Sequence, residues 1–146
     1  MEMKVAIGAD HGAFERKAEV IEHLKKTGHE VKDFGTYTPD SCDYPAIGRS
    51  VAKAVASGEF DRGIVMCTTG IGISVVANKV RGIRCALCSD TTSARLTREH
   101  NDANMLSMGA GVIGPNLTMD IVDIFMNTAF SNEEKHVRRI SQIEED

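Results

Sequence analysis

The feature that most constrains this chain is a regular alternation of short β-rich segments with helical segments. Strands are predicted at 4–8, 29–35, 62–67, 83–89 and 103–109, and helices at 14–28, 46–58, 72–80, 91–101, 116–130 and 132–146. This alternation is typical of an α/β protein with helices on both faces of a parallel sheet. We therefore predict a three-layer α/β/α sandwich around a five-stranded, Rossmann-like parallel sheet in flavodoxin-like strand order.

Length and composition restrict both the domain organisation and the class of partner. The 146 residues contain no linker, repeat or low-complexity tract, so residues 1–146 are predicted to form one domain with a substantial core. The formal net charge is −4 and no basic block occurs, which argues against nucleic acid as a partner. No apolar run reaches about 18 residues, so no membrane span is expected. The four cysteines, without secretory features, indicate thiols in a reducing compartment, and a cytoplasmic location is predicted.

The candidate functional residues lie where the predicted strands end. Ligands of open parallel sheets bind outside the carboxyl ends of the strands, near the point where the strand order reverses. The first strand is followed by Asp10 and His11, and the third strand ends at Cys67. Because the first and third strands are neighbours in a flavodoxin-like order, these three residues are expected to share one crevice.

Cys67 opens the segment "CTTGIGIS", which leads from a buried strand into a helix. A free cysteine is often simply a buried apolar side chain. A thiol at a helix N-terminus, however, lies beside free backbone N–H groups and the positive end of the helix dipole, which stabilise a thiolate. The following turn aligns several N–H donors that suit a phosphate or an oxyanion. Position therefore favours a functional thiol.

Other cysteines and histidines give weaker signals. Cys85 and Cys88 form a C-x-x-C pair, but residues three apart in a strand point to opposite faces, and no second pair completes a zinc site. No metal site is predicted. His100 lies in "REHNDAN", where a helix ends before the fifth strand. His136 lies among basic residues of the last helix, a pattern that by itself is typical of a solvated face.

Motifs leave two reaction classes open. A cysteine phosphatase requires an arginine six residues after the cysteine, where this chain has Ile73, and the Walker and dinucleotide-binding glycine motifs are absent. One remaining class is acyl transfer by Cys67 with His11 or His100 as its partner. The other is proton transfer, in which the thiolate removes a C–H proton beside a carbonyl and backbone amides stabilise the enediolate.

Six segments together resemble one known family. They are "GADHGAF" (8–14), "DFGTY" (33–37), "DYP" (43–45), "CTTGIGIS" (67–74), "ANKVRGIR" (77–84) and "TREHNDAN" (97–104). In this order and spacing they are similar to the type B ribose-5-phosphate isomerases, a family that includes the subunits of galactose-6-phosphate isomerase. The resemblance covers nearly the whole chain and favours the proton-transfer class over acyl transfer.

The resemblance implies an aldose–ketose isomerase of the pentose phosphate pathway that needs no metal or cofactor and acts through a cis-enediolate on ribose 5-phosphate and ribulose 5-phosphate. Cys67 matches the base, Thr69 assists proton transfer at the sugar oxygens, and His100 with Asp10 opens the furanose ring. The anion hole matches the backbone of Gly70, Ile71, Gly72 and Ser74. Substrate hydroxyls match Tyr44 and Asn101, and the phosphate matches His11 and Arg139, with Arg138 and His136 as further candidates.

The resemblance also implies assembly and raises alternatives. The family places its active site between two subunits, so a homodimer is expected, and the sequence leaves a tetramer open. The helix 116–130 is apolar on more than one face, which predicts burial against another subunit. A hexose-6-phosphate isomerase of the galactose or allose type is the alternative within the class. A non-catalytic sugar-phosphate-binding module is the alternative outside it, although binding alone requires neither Cys67 nor His100.

Three positions depart from the family pattern. Thr68 stands where the family usually has glycine beside the base, and Gly111 stands where it often has arginine after the fifth strand. Lys135 replaces an arginine in the C-terminal motif. These departures predict a narrower pocket at Thr68 and a phosphate held chiefly by Arg138 and Arg139, with Arg138 expected in the space left at Gly111.

Overall fold

The computed structural model describes residues 2–145 and contains a five-stranded, fully parallel sheet. Its strands are β1 (Lys4–Ala9), β2 (Glu30–Asp33), β3 (Arg62–Cys67), β4 (Cys85–Leu87) and β5 (Met105–Gly109). Its helices are α1 (Phe14–Lys26), α2 (Tyr44–Ala56), α3 (Ile71–Asn78), α4 (Thr91–Asn101), α5 (Pro115–Asn127) and α6 (Glu134–Ile143), and a 3-10 turn spans His11–Ala13. The predicted α/β class is confirmed, and α6 is shorter than the predicted helix 132–146, of which residue 146 lies outside the described range.

The strand order is β2-β1-β3-β5-β4, which corrects part of the predicted topology. A flavodoxin-like sheet would place β4 beside β3. Here β5 pairs with β3, and β4 forms the edge beyond it. β5 is buried along its whole length, whereas β4 is half-exposed and, with three residues, shorter than the strand predicted at 83–89. The longer, fully buried strand therefore takes an interior position, and the shorter strand lies at the edge.

Two hydrophobic cores cover the two faces of the sheet. On one face, α1, α4 and α5 pack through buried side chains that include Leu24, Ala94 and Phe125. On the other face, α2 and α3 pack through side chains that include Val51 and Ile73. No helix within residues 2–145 has the length and apolarity needed to cross a bilayer.

Helix α5 packs most of its apolar surface within its own chain. Ile121, Val122, Phe125 and Met126 are buried in the core, and Leu117, Met119 and Ile124 pack against it at the margin. Helices α1 and α4 supply much of the cover within the chain, and burial of the partly exposed remainder against another subunit stays a prediction. Large exposed apolar side chains occur instead on α3 and β4, at Ile71, Val75 and Leu87.

Candidate active site

Three loops meet at the carboxyl edge of the sheet, as the positions of the strands predicted. Ala9 pairs with Met66 across β1 and β3, and Cys67 pairs with Gly109 across β3 and β5. The Asp10 N–H then donates to the Met66 carbonyl at 3.2 Å. The segments that begin with Asp10, Thr68 and Ala110 are therefore held side by side, with Cys67 at the centre.

Cys67 is buried, and its sulfur faces the turn that follows it. The Gly70 N–H donates to Cys67 Sγ at 3.1 Å, which places a donor that stabilises negative charge directly on the thiol. Gly70 has φ +77°, and a Cβ there would lie 2.7 Å from the Met108 carbonyl carbon. Only glycine meets both requirements, so the turn is built to bring its amide to the sulfur.

The next peptides of the turn, which the sequence assigned to an anion hole, make hydrogen bonds within the protein. The Ile71 N–H donates to Thr69 Oγ1 at 3.1 Å. Ser74 is buried, and its hydroxyl donates to Ile71 O at 2.7 Å. The Gly70 carbonyl accepts from Ser107 Oγ of β5 at 2.7 Å. Ser107 was not among the residues predicted from sequence, although a lone hydroxyl in the apolar run "MLSMG" was a signal that a partner had to exist.

An open groove of 740 Å³ lies beside this turn. Exposed His11 contributes its ring, and its Nδ1 accepts from the Cys42 N–H at 3.2 Å. Tyr44 stands at the start of α2, with its hydroxyl so close to Gly72 that a Cβ there would lie 2.5 Å away. The groove is lined by Asp10, His11, Ser41, Cys42, Asp43, Tyr44, Pro45, Ala46 and Arg49. The groove brings Asp10, His11 and Tyr44 together in one chain, whereas Cys67, which was predicted to share a crevice with Asp10 and His11, is not among its lining residues.

Thr68 is an exposed side chain that fits between two glycines. A Cβ at Gly12 would collide with Thr68 Oγ1, and a Cβ at Gly111 would lie 2.9 Å from Thr68 Cγ2. The Gly111 N–H also donates to Thr68 O at 2.9 Å. Thr68 therefore lies against the space beside Gly111, where the sequence predicted Arg138, and the narrower pocket expected at Thr68 stays a prediction.

Gly12→Ala is expected to lower kcat/KM by about tenfold or more, because the new methyl group displaces the loop that carries Asp10 and His11. The measurement is steady-state isomerase kinetics with the proposed pentose phosphate substrate. Thr68→Gly in the same chain removes the colliding hydroxyl, so the double variant is expected to regain most of the activity. Equal activities of the single and double variants would contradict this account of the contact.

His100 and Asn101 lie at the opposite edge of the sheet from Cys67. Helix α4 begins after the carboxyl end of β4 and runs back, so its last residues are at the amino edge. There Arg84, which precedes β4, donates through Nε to Asn101 O at 2.8 Å. The length of β3 separates the two edges by about 20 Å. One chain therefore does not bring His100 to Asp10 and Cys67.

His136 stacks on His100, with ring centroids 4.4 Å apart and an interplanar angle of 16°. Sequence alone favoured a solvated His136, but the side chain is buried. Burial, followed by the neighbouring His100, lowers the pKa of His136 below its ordinary value, while Glu133 opposes the shift. The uncharged form is favoured, which allows two imidazoles to stack without repulsion.

The basic residues of α6 are exposed in the chain. Arg138 and Arg139 have no ion-pair or hydrogen-bond partner within residues 2–145. Helix α6 is attached to the body of the protein by buried His136 and by the pair between Arg84 and Glu144, whose N–O distance is 2.6 Å. Both guanidinium groups are therefore available to an anionic ligand.

The C-x-x-C pair has the structural role predicted for it. Cys88 is buried in the core beneath α4, and Cys85 packs in the core on the other face of the sheet. Burial raises the pKa of Cys85 to about 12 and that of Cys88 to about 11. No cluster of three or more His, Cys, Asp or Glu side chains with metal-binding geometry occurs among residues 2–145.

A parallel α/β sheet with a cysteine and an amide-rich turn at its carboxyl edge is an arrangement typical of enzymes that act on small molecules. Comparison with known proteins identifies the family. The sequence profile described as Ribose/Galactose Isomerase matches residues 5–143. The chain belongs to this family, and the predicted enzyme class, an isomerase, is confirmed.

Individual relatives agree over almost the full length. Ribose-5-phosphate isomerase B of Escherichia coli is 44% identical, with 96% of this chain and 93% of the relative covered. Galactose-6-phosphate isomerase subunit LacB of Clostridium acetobutylicum is 40% identical, with 98% and 83% covered. The solved structure of Clostridium thermocellum ribose-5-phosphate isomerase B is 51% identical and superposes with a TM-score of 0.95, covering 97% of this chain and 95% of the other.

Proposed function

We propose that this isomerase interconverts ribose 5-phosphate and ribulose 5-phosphate through an enediolate, with Cys67 as the base and without a metal or cofactor. The observation that carries the proposal is the hydrogen bond from the Gly70 N–H to Cys67 Sγ, 3.1 Å long, at the carboxyl edge of the central strand. Relatives named as ribose-5-phosphate isomerases support the choice of a pentose phosphate.

The chemistry follows from the groups around the sulfur. Cys67 removes the proton from C2 of the open-chain aldose, and the electron pair moves to form the enediolate. The backbone N–H groups of the turn from Gly70 to Ser74 stabilise the negative charge on oxygen. Thr69 moves a proton between the two sugar oxygens, and Cys67 returns its proton to C1 to complete the ketose. His11, Tyr44 and Asn101 bind the phosphate and hydroxyl groups.

We also propose that the active site is completed by a second copy of the chain in a homodimer. His100 and Asn101 lie at the amino edge, so their predicted roles beside Cys67 require a partner. The exposed apolar side chains Ile71 and Val75 occupy one face of α3. They lie directly after residues 67–70, the catalytic turn, where a partner would cover them. A cytoplasmic location, where the four free thiols remain reduced, belongs to the same proposal.

A turnover screen of five- and six-carbon sugar phosphates, with identification of each product, tests the substrate. Ribulose 5-phosphate formed from ribose 5-phosphate at the highest kcat/KM is the expected result. Preference for a hexose 6-phosphate would instead favour the alternative suggested by the galactose-6-phosphate isomerase relative. Binding without turnover would indicate a non-catalytic module. Activity is expected to survive exhaustive chelation, and loss restored by one divalent ion would contradict the thiolate mechanism.

Arg139→Ala is expected to raise KM for ribose 5-phosphate by about tenfold or more while changing kcat little, because a charged contact contributes about 1.5–3 kcal/mol. Arg138→Ala is expected to act in the same direction. Steady-state kinetics makes the measurement, and Lys53→Ala on α2 controls for the loss of an exposed positive charge elsewhere. Unchanged KM in both arginine variants, together with equal kcat/KM for free ribose, would contradict the phosphate assignment.

A further inference from the structure

Ser107 is the single hydroxyl in a strand that is otherwise apolar. β5 runs Met105–Gly109 with every residue buried, and Ser107 has no exposed surface at all. Its hydroxyl does not bond within its own strand but donates to the carbonyl of Gly70 at 2.7 Å. A buried hydroxyl requires a hydrogen-bond partner, and the partner of Ser107 is Gly70 in the catalytic turn.

The accepting carbonyl belongs to the peptide that joins Gly70 to Ile71. The other polar end of that peptide is the Ile71 N–H, which donates to Thr69 Oγ1 at 3.1 Å. Because a peptide unit is planar, its carbonyl and its N–H cannot turn independently. A hydrogen bond that fixes the Gly70 carbonyl on the core side therefore fixes the direction of the Ile71 N–H on the site side.

The chain of contacts continues to the hydroxyl of Thr69. Because Thr69 Oγ1 accepts from Ile71, its own proton is directed away from that amide and is available to an oxygen of the substrate. Hydrogen bonds in such a series also polarise one another in the same direction. The series runs from the Ser107 hydroxyl through the Gly70–Ile71 peptide to the Thr69 hydroxyl.

We propose that Ser107 is a positioning residue of the isomerase, which orients the Thr69 hydroxyl toward the enediolate through the Gly70–Ile71 peptide. The inference rests on the proposed function and adds a residue that does not itself touch the substrate. Its effect falls on the transition state, because the enediolate oxygens carry charge that the ground-state sugar lacks.

The fold does not depend on this hydroxyl. The Gly70 carbonyl also accepts from the Ser74 N–H at 3.3 Å, in the first turn of α3, and this bond remains when the hydroxyl is removed. Ser107→Ala leaves no buried donor without a partner. Ser107→Cys fills nearly the same volume but offers only a weak S–H donor. Two variants of different size therefore remove the same hydrogen bond.

Kinetics of the full-length protein tests the inference. Ser107→Ala and Ser107→Cys are each expected to lower kcat about tenfold with KM within about twofold, a smaller loss than for direct removal of an oxyanion donor. Affinity for a phosphorylated hydroxamate, whose planar group copies the enediolate, should fall by a similar factor. Affinity for ribitol 5-phosphate, which copies only the ground state, should stay unchanged.

The control is Thr118→Ala, which removes another fully buried hydroxyl that donates to a backbone carbonyl, that of Gly114, at 2.8 Å. Arg16 Nη1, which donates to the same hydroxyl at 2.8 Å, keeps its hydrogen bond to Ile113 O at 2.8 Å. The kcat of Thr118→Ala is expected to match the wild type. Turnover by both Ser107 variants within twofold of the active wild type would overturn this inference alone. A wild-type protein that isomerises no sugar phosphate would overturn the proposed function and this inference together.

Discussion

Cys67→Ala is expected to lower kcat by about 10³-fold or more, since removing a positioned base forfeits most of the acceleration of a C–H proton transfer. The buried site loses one sulfur, and the turn keeps Gly70 in place through Ser107, so the variant should fold normally. Product formation from ribose 5-phosphate, measured beside circular dichroism, makes the test. Near-normal turnover by the alanine variant would contradict the assignment of the base.

Alkylation separates this thiol from the other three. Iodoacetamide should inactivate the wild type, and substrate should protect it, whereas Cys42→Ala should be inactivated at the same rate. Cys85 and Cys88 should resist labelling near pH 8, because burial raises their pKa values to about 12 and about 11. Mass spectrometry of the labelled peptides identifies the modified residue. Inactivation that tracks with labelling of Cys42 would contradict the role given to Cys67.

Mixing two inactive variants is expected to restore activity. Cys67→Ala and His100→Ala each destroy both sites of a homodimer if each site takes its cysteine from one copy and its histidine from the other. After exchange of subunits, half of the dimers contain both variants, and each of these has one intact site. The mixture should therefore recover about one quarter of wild-type activity.

The control for this experiment combines both substitutions in one chain. When the double variant Cys67→Ala/His100→Ala is mixed with wild type, each site of the heterodimer contains one substituted residue, so the heterodimer is inactive. Only the remaining wild-type homodimers are active, and activity should therefore fall as the double variant is added. No recovery in the mixture of single variants, with subunit exchange shown by light scattering and native mass spectrometry, would place both residues in the same chain's site or remove His100 from the mechanism.

Much of the fold could be predicted because the spacing of apolar residues within each segment distinguishes helices from strands. The bounds of β3 and α4 match the predicted 62–67 and 91–101. The strand order could not be predicted in full, because right-handed crossovers permit β4 on either side of β5. The deciding facts are tertiary: β5 is buried on both faces, whereas Leu87 of β4 remains 43% exposed.

Residues of the candidate site that lie next to a strand end could be predicted from the sequence. Residues whose position depends on contacts between distant parts of the chain could not. Asp10 and Cys67 follow neighbouring strands, so topology alone brings them together. Ser107 and Gly70 are 37 positions apart, and only the pairing of β3 with β5 places them in contact. The burial of His136 was missed for the same reason, since its partner His100 lies on another helix.

The stack of His100 on His136 joins two parts of the protein that the proposed mechanism uses at opposite ends of the sugar. His100 acts near the ring oxygen, and Arg139, three residues after His136 on α6, holds the phosphate. The ring contact therefore links the last turn of α4 directly to α6. With those roles, the stack would couple the place where the sugar ring opens to the place where its phosphate is held.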